Sequence, residues 1–210
     1  MDQYYYRYNK TDNSKFDGNF KVLGTIDIEN IKKVLLENKH KFSPHNNVSN
    51  NPENLKRTKG IGKTHACVKH LTFLFEDSEQ HPKIINNHNK TILPQIENDF
   101  KHITNIVHKY YNDTDLVIAR CLATELIPNS IIPLHEDGVA KILLKAHRIH
   151  IPIITNDLVT FTVGGEERNL KAGTMYEINN LRTHGVQNNS NENRMHLILD
   201  YINLKYLNDN

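Results

Sequence analysis

Val159-Thr160-Phe161-Thr162-Val163-Gly164-Gly165 is the stretch of sequence that decides the fold. Apolar side chains alternate with threonine along it, which is typical of a β-strand with one buried face. The two glycines that follow suit a tight turn, because residues of such turns take positive φ angles. The stretch therefore predicts a strand of an antiparallel sheet that ends in a short hairpin.

Short apolar runs of the same kind fill the chain from Asp115 onward. Pro, Asn and Gly separate them, and no helical pattern lies between them. The predicted strands are Leu116–Ile127, Ile131–Leu134, Ile149–Ile154, Val159–Val163, Thr174–Ile178 and Met195–Ile202. Many short strands with regular turns favour an antiparallel sandwich or barrel. We therefore expect a mainly β protein with a core in residues 115–205. This core is predicted to be a double-stranded β-helix, a cupin-like jelly roll.

Residues 1–114 have a different pattern, with helical periodicity and long polar stretches. The predicted elements are a helix in Ile26–Phe42, a strand in Cys67–Phe75 and a helix in Ile92–Tyr111. The polar segments Ser43–Lys63 and Glu76–Lys90 are predicted loops, and loops of such length often serve as lids or binding loops. We expect this half to form a helical and loop scaffold that packs its helices on one sheet, within a single domain of residues 1–210.

Composition excludes several classes of protein. Net charge is only +2 over 210 residues, and no Lys/Arg run gives a nucleic-acid footprint. No apolar run is long enough to cross a bilayer, and the first residues do not read as a signal peptide. Two cysteines, Cys67 and Cys121, cannot form a disulfide framework, so we expect a reducing, cytoplasmic location.

Two motifs in the first half have structural explanations. Gly60-Ile61-Gly62-Lys63-Thr64 looks like the end of a phosphate-binding P-loop, but Arg57 stands where that motif needs glycine and no strand precedes it. The histidines and cysteine of His65–His70 fit the period of a strand equally well, so we do not interpret them as metal ligands.

The residues that indicate chemistry begin at His135-Glu136-Asp137. His135 and Asp137 are two positions apart, so on an extended chain their side chains point to the same face. His184 follows a turn-like segment, and we expect it to come from a strand across the sandwich. Two imidazoles and one carboxylate can hold Fe(II) on one face and leave its other positions open. Arg194, ten residues later, is suited to anchor a dicarboxylate co-substrate, so the combination favours an Fe(II)/2-oxoglutarate oxygenase.

The segment Ala119–Tyr201 also resembles the aspartyl/asparaginyl β-hydroxylase family, whose relatives include free-proline hydroxylases. The matching pieces are Pro133–Asp137, Arg148–Pro152, Val163–Glu166, Glu177–Asn180, His184–Asn188 and Arg194–Tyr201. The resemblance implies an enzyme that uses Fe(II), 2-oxoglutarate and O₂ to hydroxylate Asp, Asn or Pro, free or in a polypeptide, with release of succinate and CO₂.

Roles of individual residues follow from the same resemblance. His135, Asp137 and His184 look like the iron ligands, and Arg194 is similar to the anchor of the distal carboxylate of 2-oxoglutarate. Arg148 and His150 match an Arg-x-His pair that lies by the other end of the co-substrate in this family. Some members of the family carry glycine at the position of Asp137. The presence of a carboxylate here favours the proline-hydroxylase and bacterial-type branch of the family. The stretch between Asp137 and Arg148, which contains Leu143-Leu144-Lys145, is a candidate substrate-contact loop.

Two other classes of protein compete with this interpretation. One is a metal-binding cupin enzyme that does not use 2-oxoglutarate, and Arg194 with Arg148 and His150 argues against it. The other is a catalytically silent jelly-roll binding domain, which the intact ligand set disfavours. For Gly164-Gly165, a turn is favoured over a close backbone approach to substrate. The sequence leaves open the substrate, the oligomeric state and the role of residues 1–114.

Overall fold

A computed structural model describes residues 16–44, 67–76, 85–87, 92–137 and 141–208. The strands are β1 (Phe20–Thr25), β2 (Ser43–Pro44), β3 (Val68–Glu76), β4 (Ile85–Asn87), β5 (Leu116–Leu126), β6 (Ser130–His135), β7 (His147–Ile154), β8 (Val159–Val163), β9 (Glu166–Arg168), β10 (Thr174–Ile178), β11 (His184–Asn188) and β12 (Arg194–Asn203). The helices are α1 (Glu29–Glu37), α2 (Glu97–Tyr111), α3 (Lys141–Lys145) and α4 (Lys205–Asn208), with 3₁₀ turns at Lys39–Lys41 and Leu93–Gln95.

Within the described residues the strands form two antiparallel sheets. The main sheet has the order β1-β10-β7-β12-β5-β3-β2, with β4 paired to β3, and the minor sheet has the order β6-β11-β8-β9. Side chains of both sheets meet in one apolar cluster, so the sheets pack face to face. The prediction of a mainly β jelly roll is confirmed.

The period of two along β12 divides the main sheet into two faces. Met195, Leu197, Leu199 and Tyr201 are buried in a cluster that also contains residues of α1 and α2. The alternate residues of the strand point between the two sheets, where the polar site described below lies. Because a fully buried aliphatic side chain contributes about 1.5–3 kcal/mol, the helix-facing side holds the main sheet in place behind that site.

The hairpin between β8 and β9 takes the predicted form. Val163 pairs with Glu166, which leaves Gly164 and Gly165 as a two-residue turn. Both glycines have positive φ, at 55° and 83°, as this type of tight turn requires. The turn sets the register of β8 with β9, and β8 pairs along its other edge with β11 in the minor sheet.

The structure corrects several sequence-based boundaries. The first predicted helix is shorter, since α1 covers only Glu29–Glu37 and is preceded by the unpredicted strand β1. β1 pairs with β10 at the edge of the main sheet, so the first half contributes strands as well as helices. The polar segment after Glu76 contains β4. In the second half, helix α3 interrupts the run of strands.

Other predictions fall partly outside the described residues. Most of the Ser43–Lys63 loop, the Gly60–Thr64 motif and the histidine at position 65 are among them, although Ser43–Pro44 forms β2. Cys67 and Cys121 are both free thiols. Among the described helices, none is long and apolar enough to cross a membrane.

Candidate metal centre and buried arginine

His135 and His184 form the centre of the candidate site. His135 ends β6, His184 begins β11, and the two residues are direct partners in the register of the minor sheet. Their ring centroids lie 4.4 Å apart. The expectation that His184 comes from a strand across the sandwich is therefore wrong, because adjacent strands of one sheet carry both histidines. Cross-strand partners have closely spaced side chains, so this pairing brings both imidazoles within reach of one ion.

Backbone carbonyls fix the orientation of both rings. His135 Nδ1 lies 2.8 Å from the carbonyl oxygen of Pro133, and His184 Nδ1 lies 2.9 Å from that of Arg182. A carbonyl oxygen only accepts hydrogen bonds, so Nδ1 carries the proton in each contact and donates it. The lone pair of each neutral ring is then on Nε2, the usual arrangement of a histidine that binds a metal.

Asp137 completes the cluster two residues beyond His135. Its Oδ1 lies 3.8 Å from His135 Nε2, and its Oδ2 lies 3.5 Å from His184 Nε2. One ligand atom from each of the three residues can be chosen so that all lie within 4.8 Å of one another. The backbone N–H of Asp137 donates to the Asn180 carbonyl at 3.3 Å, which ties it to the segment before β11. Two neutral imidazoles and one carboxylate fit a divalent cation such as Fe(II).

Arg148 on β7 links Asp137 to a second carboxylate. Its Nε and one terminal nitrogen donate to the two oxygens of Asp200, each at 2.8 Å, and its other terminal nitrogen donates to Asp137 Oδ2. Burial alone would raise the pKa of Asp137, but the charge of Arg148 and the contacts with His184 outweigh it. The pKa of Asp137 is therefore held well below its usual range, and the group is a carboxylate near neutral pH.

Arg194 is a buried cation of a different kind. It begins β12 as predicted, and it is only 2% exposed. One terminal nitrogen donates to His196 Nδ1 at 2.6 Å, and the guanidinium lies 5.7 Å from the ring centroid of Phe161. Within the described part of the chain, its Nε has no hydrogen-bond partner and no carboxylate forms an ion pair with it. Burial lowers the pKa of Arg194 to about 9. A buried cation without a counter-charge is costly, so this position suits an anionic ligand.

His150 and His196 are two buried histidines that lie beside Arg194. Their ring centroids are 5.8 Å apart, and both rings contact Phe161. Both nitrogens of His150 and Nε2 of His196 lack hydrogen-bond partners among the described residues. Burial, followed by the charge of Arg194, lowers the pKa of each histidine well below its usual value. Both are therefore neutral donors or acceptors beside Arg194, which again fits a carboxylate group.

All six predicted site residues lie between the sheets or at the adjoining edge of the minor sheet, but they divide into two groups. His135, Asp137 and His184 form the candidate metal cluster, which Arg148 touches through Asp137, whereas the ring of His150 contacts Phe161 and His196 beside Arg194. The placement of Arg148 and His150 by the other end of the co-substrate stays a prediction.

Sequence reasoning gave no role to two residues of this site, His196 and Asp200. The signal for both was the period of two along β12, since residues 194, 196 and 200 share one face. A buried charge among apolar neighbours on a strand needs a partner, and Arg148 at the paired position of β7 supplies it for Asp200.

Comparison with known proteins agrees with this geometry. Residues 53–203 match the sequence model of the family described as aspartyl/asparaginyl β-hydroxylase. That range covers well over half of the chain and includes all six predicted site residues. No curated protein sequence matches the chain.

Solved structures are similar in fold at low sequence identity. A prolyl hydroxylase from Trichoplax adhaerens, in complex with a hypoxia-inducible-factor peptide, has a TM-score of 0.55 and 11% identity over 92% of this chain and 89% of its own. A 2-oxoglutarate–Fe(II) oxygenase family protein from Burkholderia pseudomallei has a TM-score of 0.52 and 16% identity over 64% and 68%. A Pseudomonas putida prolyl-4-hydroxylase has a TM-score of 0.51 and 8% identity over 89% and 94%.

These likenesses concern the fold, whereas the sequence match is specific to one family. The chain therefore belongs to the aspartyl/asparaginyl β-hydroxylase family, a family of 2-oxoglutarate- and Fe(II)-dependent oxygenases.

Proposed function

We propose that this 2-oxoglutarate- and Fe(II)-dependent hydroxylase binds its iron through His135, Asp137 and His184. Its substrate is the side chain of an aspartate, asparagine or proline, either free or within a polypeptide. The observation that carries the proposal is the buried guanidinium of Arg194, which lacks a carboxylate partner among the described residues and lies against Phe161 on β8, the strand that pairs with the strand of His184.

His135, Asp137 and His184 would hold the iron and leave positions on it open for the co-substrate and O₂. Iron held there would supply the activation of O₂ for oxidation of a C–H bond, coupled to the conversion of 2-oxoglutarate to succinate and CO₂. Asp137 contributes negative charge to the site, and the two histidines contribute neutral nitrogen donors whose direction the Pro133 and Arg182 carbonyls fix.

Arg194 provides the anchor for the distal carboxylate of 2-oxoglutarate. Its remaining N–H groups, with His150 and His196, replace the water that a carboxylate loses on entering a buried space. Phe161 lies under the guanidinium and against both imidazoles, so it keeps water from this end of the co-substrate. Charge supports the assignment, because one buried arginine with neutral imidazoles matches one carboxylate.

The substrate is assigned only as a class. Membership in an aspartyl/asparaginyl β-hydroxylase family supports an amino-acid side chain as the target. The Trichoplax protein of similar fold is a prolyl hydroxylase in complex with a peptide, which keeps proline and a polypeptide among the candidates. Part of the stretch between Asp137 and Arg148, which is predicted as a substrate-contact loop, forms helix α3, and Asn180 donates a hydrogen bond to the Leu143 carbonyl of this helix at 3.2 Å. We keep α3 as a candidate substrate contact.

We further propose that residues 1–210 form one oxygenase domain, with residues 115–205 as its metal-binding core. The pairing of β1 with β10 and of β3 with β5 supports this organisation. Removal of the first half would expose both edges of the main sheet.

The proposed site can be tested by anaerobic titration of Fe(II) and 2-oxoglutarate into the protein. Chelation of iron by 2-oxoglutarate gives a weak visible charge-transfer band. We expect the band in the wild type, its loss in His184→Ala and its weakening in Arg194→Ala. Arg168→Ala is the matched control, because Arg168 lies on the exposed hairpin strand β9, where its guanidinium pairs with Glu166 and lies 4.8 Å from the ring centroid of Phe20.

Two results would contradict the proposal. A wild-type protein that binds iron but gives no band with 2-oxoglutarate would favour a cupin enzyme of another chemistry. A wild-type protein that binds no divalent metal would favour a silent binding domain. With iron, 2-oxoglutarate and O₂, release of succinate provides an independent measure of turnover.

A further inference from the structure

Asp200 is a fully buried carboxylate that does not touch the proposed iron ligands. It lies on β12, where its register partners are Arg148 on β7 and Arg120 on β5. Asp200 thus occupies the position between two arginines on the inner face of the main sheet, and its side chain is 0% exposed. Because burial of a carboxylate costs several kcal/mol unless it is paired and hydrogen-bonded, its contact with Arg148 is needed to keep it there.

The contact between Asp200 and Arg148 fixes a planar group in one orientation. Two parallel hydrogen bonds of 2.8 Å join the Nε edge of the guanidinium to both oxygens of Asp200. Such a two-point contact defines both the position and the plane of the guanidinium. The remaining terminal nitrogen is then directed at Asp137 Oδ2. The position of one oxygen of the candidate metal ligand is therefore set from β12 through Arg148.

Charge gives Asp200 a second effect on the metal cluster. Arg148 stands between two carboxylates, so Asp200 neutralises it and the negative charge of Asp137 stays available to a cation. Without Asp200, Arg148 would form its ion pair with Asp137 alone. A divalent cation would then compete with a buried guanidinium for the carboxylate of the cluster.

We propose that Asp200 is a positioning residue for metal binding, acting through Arg148 to hold Asp137 with one oxygen committed to the arginine and the other free for iron. This inference rests on the proposed iron site. Arg148 then holds the carboxylate of Asp137 in place. Asp200 neutralises the charge of Arg148, so that the negative charge of Asp137 remains available to the metal.

A purely structural role for Asp200 makes a different prediction. In that case it would only join β7 to β12, which already pair from Met195–Ile154 to Tyr201–His147. Its loss would lower the stability of the protein, but the effect on metal affinity would not depend on the presence of Asp137.

The test is a double-mutant cycle on metal affinity. The dissociation constant of Co(II), an air-stable substitute for Fe(II) with a visible spectrum, is measured for the wild type, Asp200→Asn, Asp137→Ala and the double variant. We expect Asp200→Asn to weaken Co(II) binding about tenfold, the lower end of the effect of residues that orient metal ligands. In the Asp137→Ala background, we expect Asp200→Asn to have little further effect.

Glu177→Gln is the matched control. Glu177 is likewise a fully buried carboxylate of the main sheet, on β10, but it faces the helices. This variant should be less stable and should bind Co(II) as the wild type does. Arg148→Lys is the second variant, since lysine keeps the charge but cannot contact both carboxylates in parallel, and it should weaken Co(II) binding in the same direction as Asp200→Asn.

The outcomes separate the two proposals. Wild-type protein that fails to bind Co(II) would overturn the proposed metal site itself. Wild-type binding with an unchanged affinity in Asp200→Asn, or with the same loss in the presence and absence of Asp137, would overturn only the role of Asp200.

Discussion

His135 and His184 face each other as register partners on adjacent strands of the minor sheet, with ring centroids 4.4 Å apart. The distance between these two candidate ligands therefore depends on how closely β6 and β11 approach. The strands are close at Gly185, since a Cβ atom there would lie 2.7 Å from the carbonyl oxygen of Ile132. The spacing of the two candidate ligands is thus coupled to a glycine that offers no ligand.

Gly185→Ala should weaken metal binding without removing any ligand. The new methyl group would also lie 3.2 Å from Leu134 atoms, so β11 must move away from β6 and carry His184 with it. We expect about a tenfold loss of Co(II) affinity, similar to the loss of a residue that orients a ligand. Titration followed by the Co(II) absorption spectrum measures it.

The matched control for Gly185→Ala is Gln187→Ala, an exposed position on the same strand. This variant should bind Co(II) like the wild type. An unchanged metal affinity in Gly185→Ala would mean that β11 accommodates the methyl group without displacing His184.

Arg194→Met should weaken binding of 2-oxoglutarate and leave metal affinity unchanged. Methionine keeps much of the buried volume of Arg194 but removes its positive charge, which we propose binds the distal carboxylate of 2-oxoglutarate. We expect roughly a 30-fold increase in the dissociation constant of 2-oxoglutarate, which corresponds to about 2 kcal/mol. Calorimetric titration of the Co(II)-loaded protein measures this change.

Pyruvate is the matched ligand for this experiment, because it has the 2-oxo acid group but no distal carboxylate. Its weak binding should be the same in the wild type and in Arg194→Met. An equal loss for both ligands would place Arg194 near the metal-binding end of the co-substrate and contradict the assignment.

Much of the fold could be predicted because local patterns coincide with the final structure. The strands Val159–Val163 and Thr174–Ile178 have the predicted bounds, since each is a short run of strand-forming residues next to a clear turn. β1 was missed because it is an edge strand with only one fully buried residue, Leu23. Its pairing with β10 is a long-range contact that a local pattern does not contain.

The candidate site could be predicted only in part for a similar reason. The spacing of His135, Asp137 and His184 identifies a set of ligands, but it does not say which sheet carries each one. The position of His184 beside His135 follows from the pairing of β6 with β11. The role that we propose for Asp200 depends on Arg148, 52 residues away in sequence. The period of two along β12 places Asp200 on the inner face of the sheet but does not identify that partner.

Glu177→Gln should destabilise the protein through a cluster on the helix-facing side of the main sheet. Glu177 accepts hydrogen bonds from the Tyr111 hydroxyl at 2.5 Å and from His147 Nδ1 at 2.8 Å, and Lys21 Nζ lies 3.5 Å away. Hydrogen bonds to a charged buried group contribute more than those between neutral groups. We expect a loss of about 2 kcal/mol in the free energy of unfolding near neutral pH, measured by chemical denaturation.

The effect of Glu177→Gln should disappear in acid. Burial alone would raise the pKa of Glu177, but the contacts with His147, Tyr111 and Lys21 outweigh it and lower the pKa below its ordinary value. A carboxyl group with a lowered folded-state pKa stabilises the protein above its unfolded-state pKa, and this contribution is lost as pH falls through the folded-state pKa. The stability difference between the wild type and the variant should therefore shrink below about pH 4.5. A difference that grows in acid would contradict the pairing.

His196 should control the affinity for 2-oxoglutarate through the orientation of Arg194. Its Nδ1 accepts a hydrogen bond of 2.6 Å from the guanidinium, and its ring is nearly parallel to that of Phe161. His196→Phe keeps the aromatic packing but removes the acceptor, so a buried N–H of Arg194 loses its partner. His196→Asn keeps an oxygen acceptor near the position of Nδ1.

We expect His196→Phe to weaken binding of 2-oxoglutarate to the Co(II)-loaded protein about tenfold and His196→Asn to weaken it much less. Both variants should keep wild-type Co(II) affinity, because His196 lies at the Arg194 end of the site. Equal losses in the two variants would show that the ring itself, and not its acceptor nitrogen, supports the anchor.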